Sequence, residues 1–127
     1  MTVFTDGELR FLQESGKLLA RIATVGKDGT PHVVPTGWSL NATDDTIEIG
    51  GHDLTATKKY KDAARTGQAA VVIDEVLPPW RPRGIEVRGR AETIDSPTAL
   101  IRVYPERVVS WGIESEAIGE RHSRRVR

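Results

Sequence analysis

From Gly84 to Ile94 the chain alternates with a period of two. Ile85, Val87, Gly89, Ala91 and Thr93 fall on one face, and Glu86, Arg88, Arg90 and Glu92 on the other. Only an extended strand sends successive side chains to opposite sides, so this segment predicts a half-buried strand with one wet face. Such a strand needs partners. Lys17 to Val25 is rich in Leu, Ile, Val and Thr, and an Asp28-Gly29 turn signal leads to a returning strand, His32 to Leu40. Pro31 and Pro35 have no N–H, which places Pro35 on an edge, at a bulge or where the ladder is interrupted. Thr46–Ile49 reads as a short strand and Gln68–Val76 as a buried one. Ala99–Tyr104 and Arg107–Ile113 read as two strands parted by Pro105-Glu106. Leu77 to Arg83 holds three prolines and is expected to be irregular. Short turns between six or seven strands imply a mainly antiparallel sheet closed into a small barrel.

Two helices complete the pattern. Thr5-Asp6-Gly7-Glu8 is a capping box, followed by Leu9 and Leu12 at helical spacing. The second helix is expected over Leu54–Arg65, with Ala56, Tyr60, Ala63 and Ala64 on one face and Gly67 as its stop. With 127 residues and no internal repeat, the chain is one domain over residues 1–118. A basic tail, 119–127, carries four Arg and is expected to be solvated. So short a chain leaves much surface open, which favours a homodimer.

Composition removes whole classes of chemistry. Without Cys there is no disulfide, no thiolate nucleophile and no Cys-ligated metal, and His32, His52 and His122 lack metal-ligand spacing. Eighteen basic and eighteen acidic residues give zero formal charge, which argues against a nucleic-acid partner. No apolar run is long enough to span a bilayer, and the start MTVFTDGELRF has no export pattern, so a cytoplasmic protein with no membrane partner is expected. There is no G-x-S-x-G elbow, no paired-carboxylate motif and no H-E-x-x-H. A chain bare of acid–base machinery suits redox chemistry carried by a cofactor and a small-molecule substrate.

Three segments could hold such a cofactor. Gly50-Gly51 leads into a helix that opens with Thr55, Thr57, Lys58 and Lys59. Lysine in a first turn opposes the helix dipole, and a bound phosphate would resolve the conflict; the plainer reading is a solvated face. Val34-Pro35-Thr36-Gly37-Trp38 interrupts a strand and exposes backbone donors and acceptors that match the edge of a flat heterocycle. The plainer reading is a bulge, with Trp38 in the core. Arg81 and Arg83 sit on a proline-stiffened loop, with Trp111 further on, and suit either an anion or a subunit contact. Glu86, Arg88, Arg90 and Glu92 suit a solvated face or a cleft between subunits.

The order of these segments resembles the pyridoxamine 5′-phosphate oxidase-like split-barrel flavoproteins, and more closely the branch that uses the deazaflavin coenzyme F-420. The matching stretches are Thr5–Ser15, Ala23–Pro35, Thr57–Ala63, Val87–Glu92 and Tyr104–Gly112, nearly the whole chain. The resemblance implies a six-stranded antiparallel split β-barrel with peripheral helices, dimeric, with cofactor sites at the subunit interface. It implies that Val34, Pro35, Thr36, Gly37 and Trp38 meet the ring and that Thr57, Lys58 and Lys59 bind phosphate. Position in the motifs adds Arg81 and Arg83 for further anionic contacts and Trp111 for a pocket wall. The expected activity is hydride transfer from coenzyme F-420 to a small unsaturated molecule. The alternatives are an FMN-binding relative or a non-catalytic cofactor- or tetrapyrrole-binding protein. The chain departs from the pattern twice. The Arg-x-His substrate signature of true pyridoxamine-phosphate oxidases is missing after Trp111, which argues against vitamin B6 oxidation. Asp62 stands where relatives often carry Asn or Gln.

Overall fold

A computed structural model describes residues 1–115 and 117–127. In chain order the elements are α1 (Asp6–Glu14), β1 (Ala20–Val25), β2 (Pro31–Thr36), β3 (Trp38–Asn41) and β4 (Thr46–Ile49). A 3-10 turn (Leu54–Ala56), α2 (Lys58–Thr66), β5 (Gln68–Leu77), β6 (Arg81–Ile94), β7 (Leu100–Trp111) and β8 (Arg121–Arg125) follow. Neighbouring strands are antiparallel in the order β2-β1-β5-β6-β7-β4-β3, with β8 added beside β7. The two ends of that order, β2 and β3, are separated in the chain by Gly37 alone. The sheet must therefore curl until its edges approach, and the Thr36 hydroxyl ties the seam by donating to the Gly50 carbonyl at 3.2 Å. This is the expected split barrel with two peripheral helices.

The alternation on β6 holds: Ile85, Val87, Gly89 and Ala91 are buried, and Arg88 and Arg90 are exposed. Inward residues of β1, β4, β5 and β7 complete the core, among them Ile22, Ile47, Ile49, Val71, Ile73, Ile101 and Val103. The Thr5 capping box forms with both of its bonds. Phe11 and Leu12 seal α1 against the core, while Leu9 is only partly buried. Gly67 ends α2 in the left-handed region, at φ 68°.

Four sequence expectations change, each for a local reason. The long returning strand breaks at Gly37 into β2 and β3, because the barrel seam falls there. The proline loop shrinks to Pro78-Pro79-Trp80, since Pro82 sits near the start of β6, where its missing N–H is tolerated. The predicted second helix starts later, at Lys58, after the separate 3-10 turn. That shift turns Ala56 and Ala64 outward and buries Asp62 beside Ala63.

The fourth change joins two expected strands into β7, with Pro105 inside it. Arg88 pairs with Arg107, but Gly89 pairs with Pro105, so Glu106 is the extra residue of a bulge. The proline stands next to that extra residue, where the ladder is already irregular. The carbonyl of Glu106 turns out to accept the N–H of Val126 at 2.8 Å.

The basic end is not a solvated tail. β8 pairs with the second half of β7, from Arg107↔Arg125 to Trp111↔Arg121. Arg124 then reaches the fully buried Glu8 of α1 through two bonds, 2.9 Å to Oε2 and 2.6 Å to Oε1, and donates to the Val3 carbonyl at 2.7 Å. Burial by itself raises the Glu8 carboxyl. Hydrogen bonds from Arg124 and from the Thr5 N–H outweigh it and hold the group below its usual range. The two ends of the chain are thus clamped together.

Two outcomes follow from this geometry. A Cβ at Gly89 would overlap the Tyr104 carbonyl oxygen. Gly89→Ala should therefore destabilise by about 1–3 kcal/mol, read as a fall in Tm by circular dichroism. For Glu8 the depressed folded pKa means that its stabilisation is present above the unfolded value and lost as pH falls through the folded one. Glu8→Gln should cost up to about 3 kcal/mol at pH 7, less if water screens the part-exposed Arg124. The gap to the native protein should close as pH drops below about 4. A gap independent of pH would assign the stability elsewhere.

Candidate functional site

α2 opens without an acidic residue in its first turn and with Lys58 and Lys59 in it. Thr57 caps it, accepting from the Tyr60 N–H at 3.3 Å and donating to the Leu54 carbonyl at 2.6 Å. Its hydroxyl is thus already engaged in holding the helix start. Lys59 is half-buried and has no hydrogen-bond or ion-pair partner among the described residues. A half-buried ammonium without a counter-ion beside free helix N–H groups fits an anion of the ligand.

One flank of α2 faces the β1–β2 hairpin across an open groove of about 620 Å³. Lys27, Asp28 and His32 line the hairpin side, and Lys58, Lys61, Asp62 and Arg65 line the helix side. Both carboxylates are already engaged within the chain. Asp28 accepts the Thr30 N–H at 2.9 Å, and that bond, first among several, holds its pKa below the usual value. Asp62 is buried and accepts from Thr24 Oγ1 and from Arg65 Nη1, each at 3.1 Å, with Lys58 Nζ at 3.8 Å. Burial opposes its ionisation, yet Arg65, Thr24 and Lys58 together lower its pKa. The groove therefore gathers Lys27, Lys58, Lys61 and Arg65 around one buried carboxylate, Asp62, and one exposed carboxylate, Asp28, that accepts within its own turn.

The segment expected to meet a ring, Val34–Trp38, spans the end of β2, Gly37 and the start of β3. β2 has only β1 beside it, so its other edge carries unpaired backbone groups. Val33 and Val34 are exposed there, and Pro35, paired with Arg21, needs no donor of its own. This is the fit test for a flat heterocycle: an apolar strand with free N–H and C=O groups, close to a helix start rich in cations. Of the residues expected to hold a cofactor, only Lys58 lines this groove, together with His32 of β2; Val34, Pro35, Thr36, Gly37, Thr57 and Lys59 do not. Trp38 does not offer its polar edge to it. Its indole N–H donates to the Leu18 carbonyl at 2.8 Å and its ring packs on the core beside Leu12.

Arg81, Arg83 and Trp111 stand elsewhere. The Ala91 N–H bonds the Gly67 carbonyl just past α2, whereas Arg81 starts the same strand on the order of 30 Å away. Arg83 bonds Glu75 at 2.7 Å and lies over the Phe11 ring at 5.3 Å. Trp111 faces Gly84 across the ladder and has the Arg121 guanidinium 5.8 Å from its ring. Within one chain these three do not join the lysines. Arg88 pairs with Glu86 at 3.0 Å on the wet face of β6, as a solvated strand would. Sequence reasoning named the lysines but missed Lys27, His32, Arg65 and the strut role of Asp62. The hairpin residues carry no motif, and only the fold brings them opposite α2. No group of three or more His, Cys, Asp and Glu suited to a metal occurs among the described residues, and no described helix is long and apolar enough to cross a membrane.

A curled antiparallel sheet with two peripheral helices is the architecture of a split barrel. The chain belongs to the pyridoxamine 5′-phosphate oxidase family, whose model matches residues 7–127, the terminal strand included. It is 32% identical to 5a,11a-dehydrotetracycline/5a,11a-dehydrooxytetracycline reductase of Streptomyces rimosus, over 97% of this chain and 93% of that protein. Among solved structures it resembles a heme binding protein from Mycobacterium smegmatis, with TM-score 0.72 and 14% identity. That match covers 96% of this chain and 58% of the other. It also resembles an FAD binding protein from the same organism, with TM-score 0.64 and 19% identity, over 87% of this chain and 97% of that one.

The seam itself can be probed. A Cβ at Gly37 would meet nothing within 4 Å, and its φ is not in the left-handed region. Gly37→Val should leave Tm within about 1 °C, since no contact is strained. It should weaken any ligand whose ring approaches this backbone. Comparing melting with flavin titration separates the two effects.

Proposed function

We propose that this protein is a reductase that binds a phosphorylated flavin-type cofactor in the seam between β2 and α2. The acceptor is an electron-poor double bond of a small molecule. The observation that carries the reading is the start of α2: Lys59 half-buried without a partner, first-turn N–H groups without an acidic side chain, and the exposed β2 edge beside them. A homologous reductase whose name specifies a 5a,11a-dehydro substrate supports the reaction class. When bound, such a cofactor supplies the hydride. The chain's part is to grip phosphate with Lys59 and Lys58, to offer β2 backbone to the ring edge, and to orient the acceptor.

A flavin is the cofactor we favour, FMN or FAD, because a similar fold is described as an FAD binding protein. Coenzyme F-420 is the second reading, favoured by the surplus of lysines along the groove, which would suit its longer anionic tail. A second copy of the chain is the proposed partner. The outward face of β1, β2 and β5 leaves Ala23, Val25, Pro31 and Ala70 around a shallow hollow of about 390 Å³ that extends to Arg88. A copy packed there is the proposed source of a second Arg81, Arg83 and Trp111.

The test is direct. Purified protein is titrated with FMN, FAD and coenzyme F-420, and the reduced complex is mixed with a panel of enones under stopped flow. Binding of one cofactor with acceptor-dependent reoxidation is expected; tight binding with no turnover on any acceptor would point to storage. Lys59→Ala should weaken the phosphorylated cofactor by about 1.5–3 kcal/mol, the worth of a charged hydrogen bond. Isothermal titration reads this, and an unchanged Kd would remove Lys59 from the site.

A further inference from the structure

We infer that Asp62 is a positioning residue for the phosphate grip: its buried carboxylate ties the opening of α2 to β1 and holds Lys58 and Arg65 toward the groove. The inference rests on the proposed cofactor reading and adds a residue that touches neither ring nor phosphate.

The geometry makes Asp62 a junction. Its side chain is 1% exposed, on a helix that is otherwise strongly polar. One oxygen accepts from Thr24, which is itself buried on the inward side of β1. The other accepts from Arg65, whose second nitrogen donates onward to the Val25 carbonyl. Helix and hairpin, the two walls of the groove, are therefore bolted together through one carboxylate. Lys58 lies one turn before Asp62 at 3.8 Å, close enough to be drawn to it and too long for a firm bond.

The cost of this arrangement argues for a purpose. Burying a carboxylate is expensive unless it is paired, and a neutral side chain of the same shape could accept from Thr24 without that cost. What the charge adds is a pull on two cations. In a chain with Lys before Asp at this spacing the helical pair itself is worth little, because the opposite order suits the helix better. The gain lies in ordering Lys58 and Arg65 before an anion arrives, so that less side-chain entropy is lost on binding.

Two effects of Asp62→Asn have opposite signs, which makes the inference testable. Removal of a negative charge from the groove, taken alone, strengthens anion binding. Loss of ordering weakens it. We expect weakening of FMN by about five- to tenfold, a change near 1 kcal/mol. Riboflavin, which lacks the phosphate, should stay within about twofold, because a residue that merely supported the fold would move both ligands alike. In a Lys58→Met background the same change should have a smaller effect, since one of the two cations through which Asp62 acts is gone. Thr24→Val, which keeps the charge and removes one strut, should shift FMN in the same direction by a smaller factor, and it serves if Asp62→Asn does not fold. If the native protein prefers coenzyme F-420, that cofactor and its phosphate-free chromophore replace the flavin pair.

Unchanged or tighter binding of the phosphorylated ligand by folded Asp62→Asn would overturn the inference, as would equal losses for both ligands. Native protein that binds neither phosphorylated ligand, or binds it no better than the phosphate-free form, would overturn the cofactor reading instead, and the inference with it.

Discussion

The β6–β7 ribbon carries the rest of the molecule, and its bulge is what makes that possible. A single strand, β7, must serve two neighbours on one edge: β4 along its first half and β8 along its second. A flat strand could not turn from one to the other. The extra residue at Glu106 bends it, and Gly89 opposite lets the backbones approach. Pro105 belongs there for the same reason, because the bulge removes the need for its N–H. The curl set by this ribbon brings β2 and β3 around to meet at Gly37, and that seam is where the candidate site lies.

Charge is distributed to match. Most guanidinium groups on the sheet are paired at short range: Arg102 with Glu48, Arg83 with Glu75, Arg21 with Asp74, Arg124 with Glu8. The lysines around α2 differ. Lys27, Lys59 and Lys61 have no partner among the described residues, and Lys58 has only a long contact. In a chain of zero formal charge, positive charge left unmatched in one place is a local field, and anions follow local fields rather than totals. A zero net charge weighs against unspecific polyanion binding and says nothing against a specific phosphate site.

Much of the fold was legible because its signals are local. The alternation on β6, the reciprocal cap of Thr5 and Glu8, and Gly67 at the helix end are each written within a few residues. What was not legible depends on distant contacts. Glu8 looks like a capping residue and is also the counter-ion of Arg124, far along the chain; nothing near either residue announces the pair. β8 alternates His122, Arg124 and Val126 inward with Arg121, Ser123 and Arg125 outward, yet only Val126 is apolar, so a hydrophobic pattern cannot reveal it. Asp62 was obscured differently. Reading the helix as starting at Leu54 placed Ala56 and Ala64 on its buried face; the cap at Thr57 moves the phase and turns the carboxylate inward.

The same contrast separates the expected site residues from one another. Thr57, Lys58 and Lys59 were named from a conflict between lysine and the helix dipole, a conflict that the fold preserves, with Lys58 lining an open groove. Trp38 was named from composition around a strand break, and its indole N–H finds a carbonyl inside the protein. Arg83 was named from a stiff loop, and it finds Glu75 and Phe11. A polar group that folding satisfies has little left to offer a ligand, whereas one that folding leaves unmatched retains its full demand. On that criterion the proposed phosphate end rests on groups of this chain alone. A role for Arg81, Arg83 and Trp111 there requires the proposed second copy. The two halves of the expected site thus make different physical demands, one on a helix start and the other on an interface.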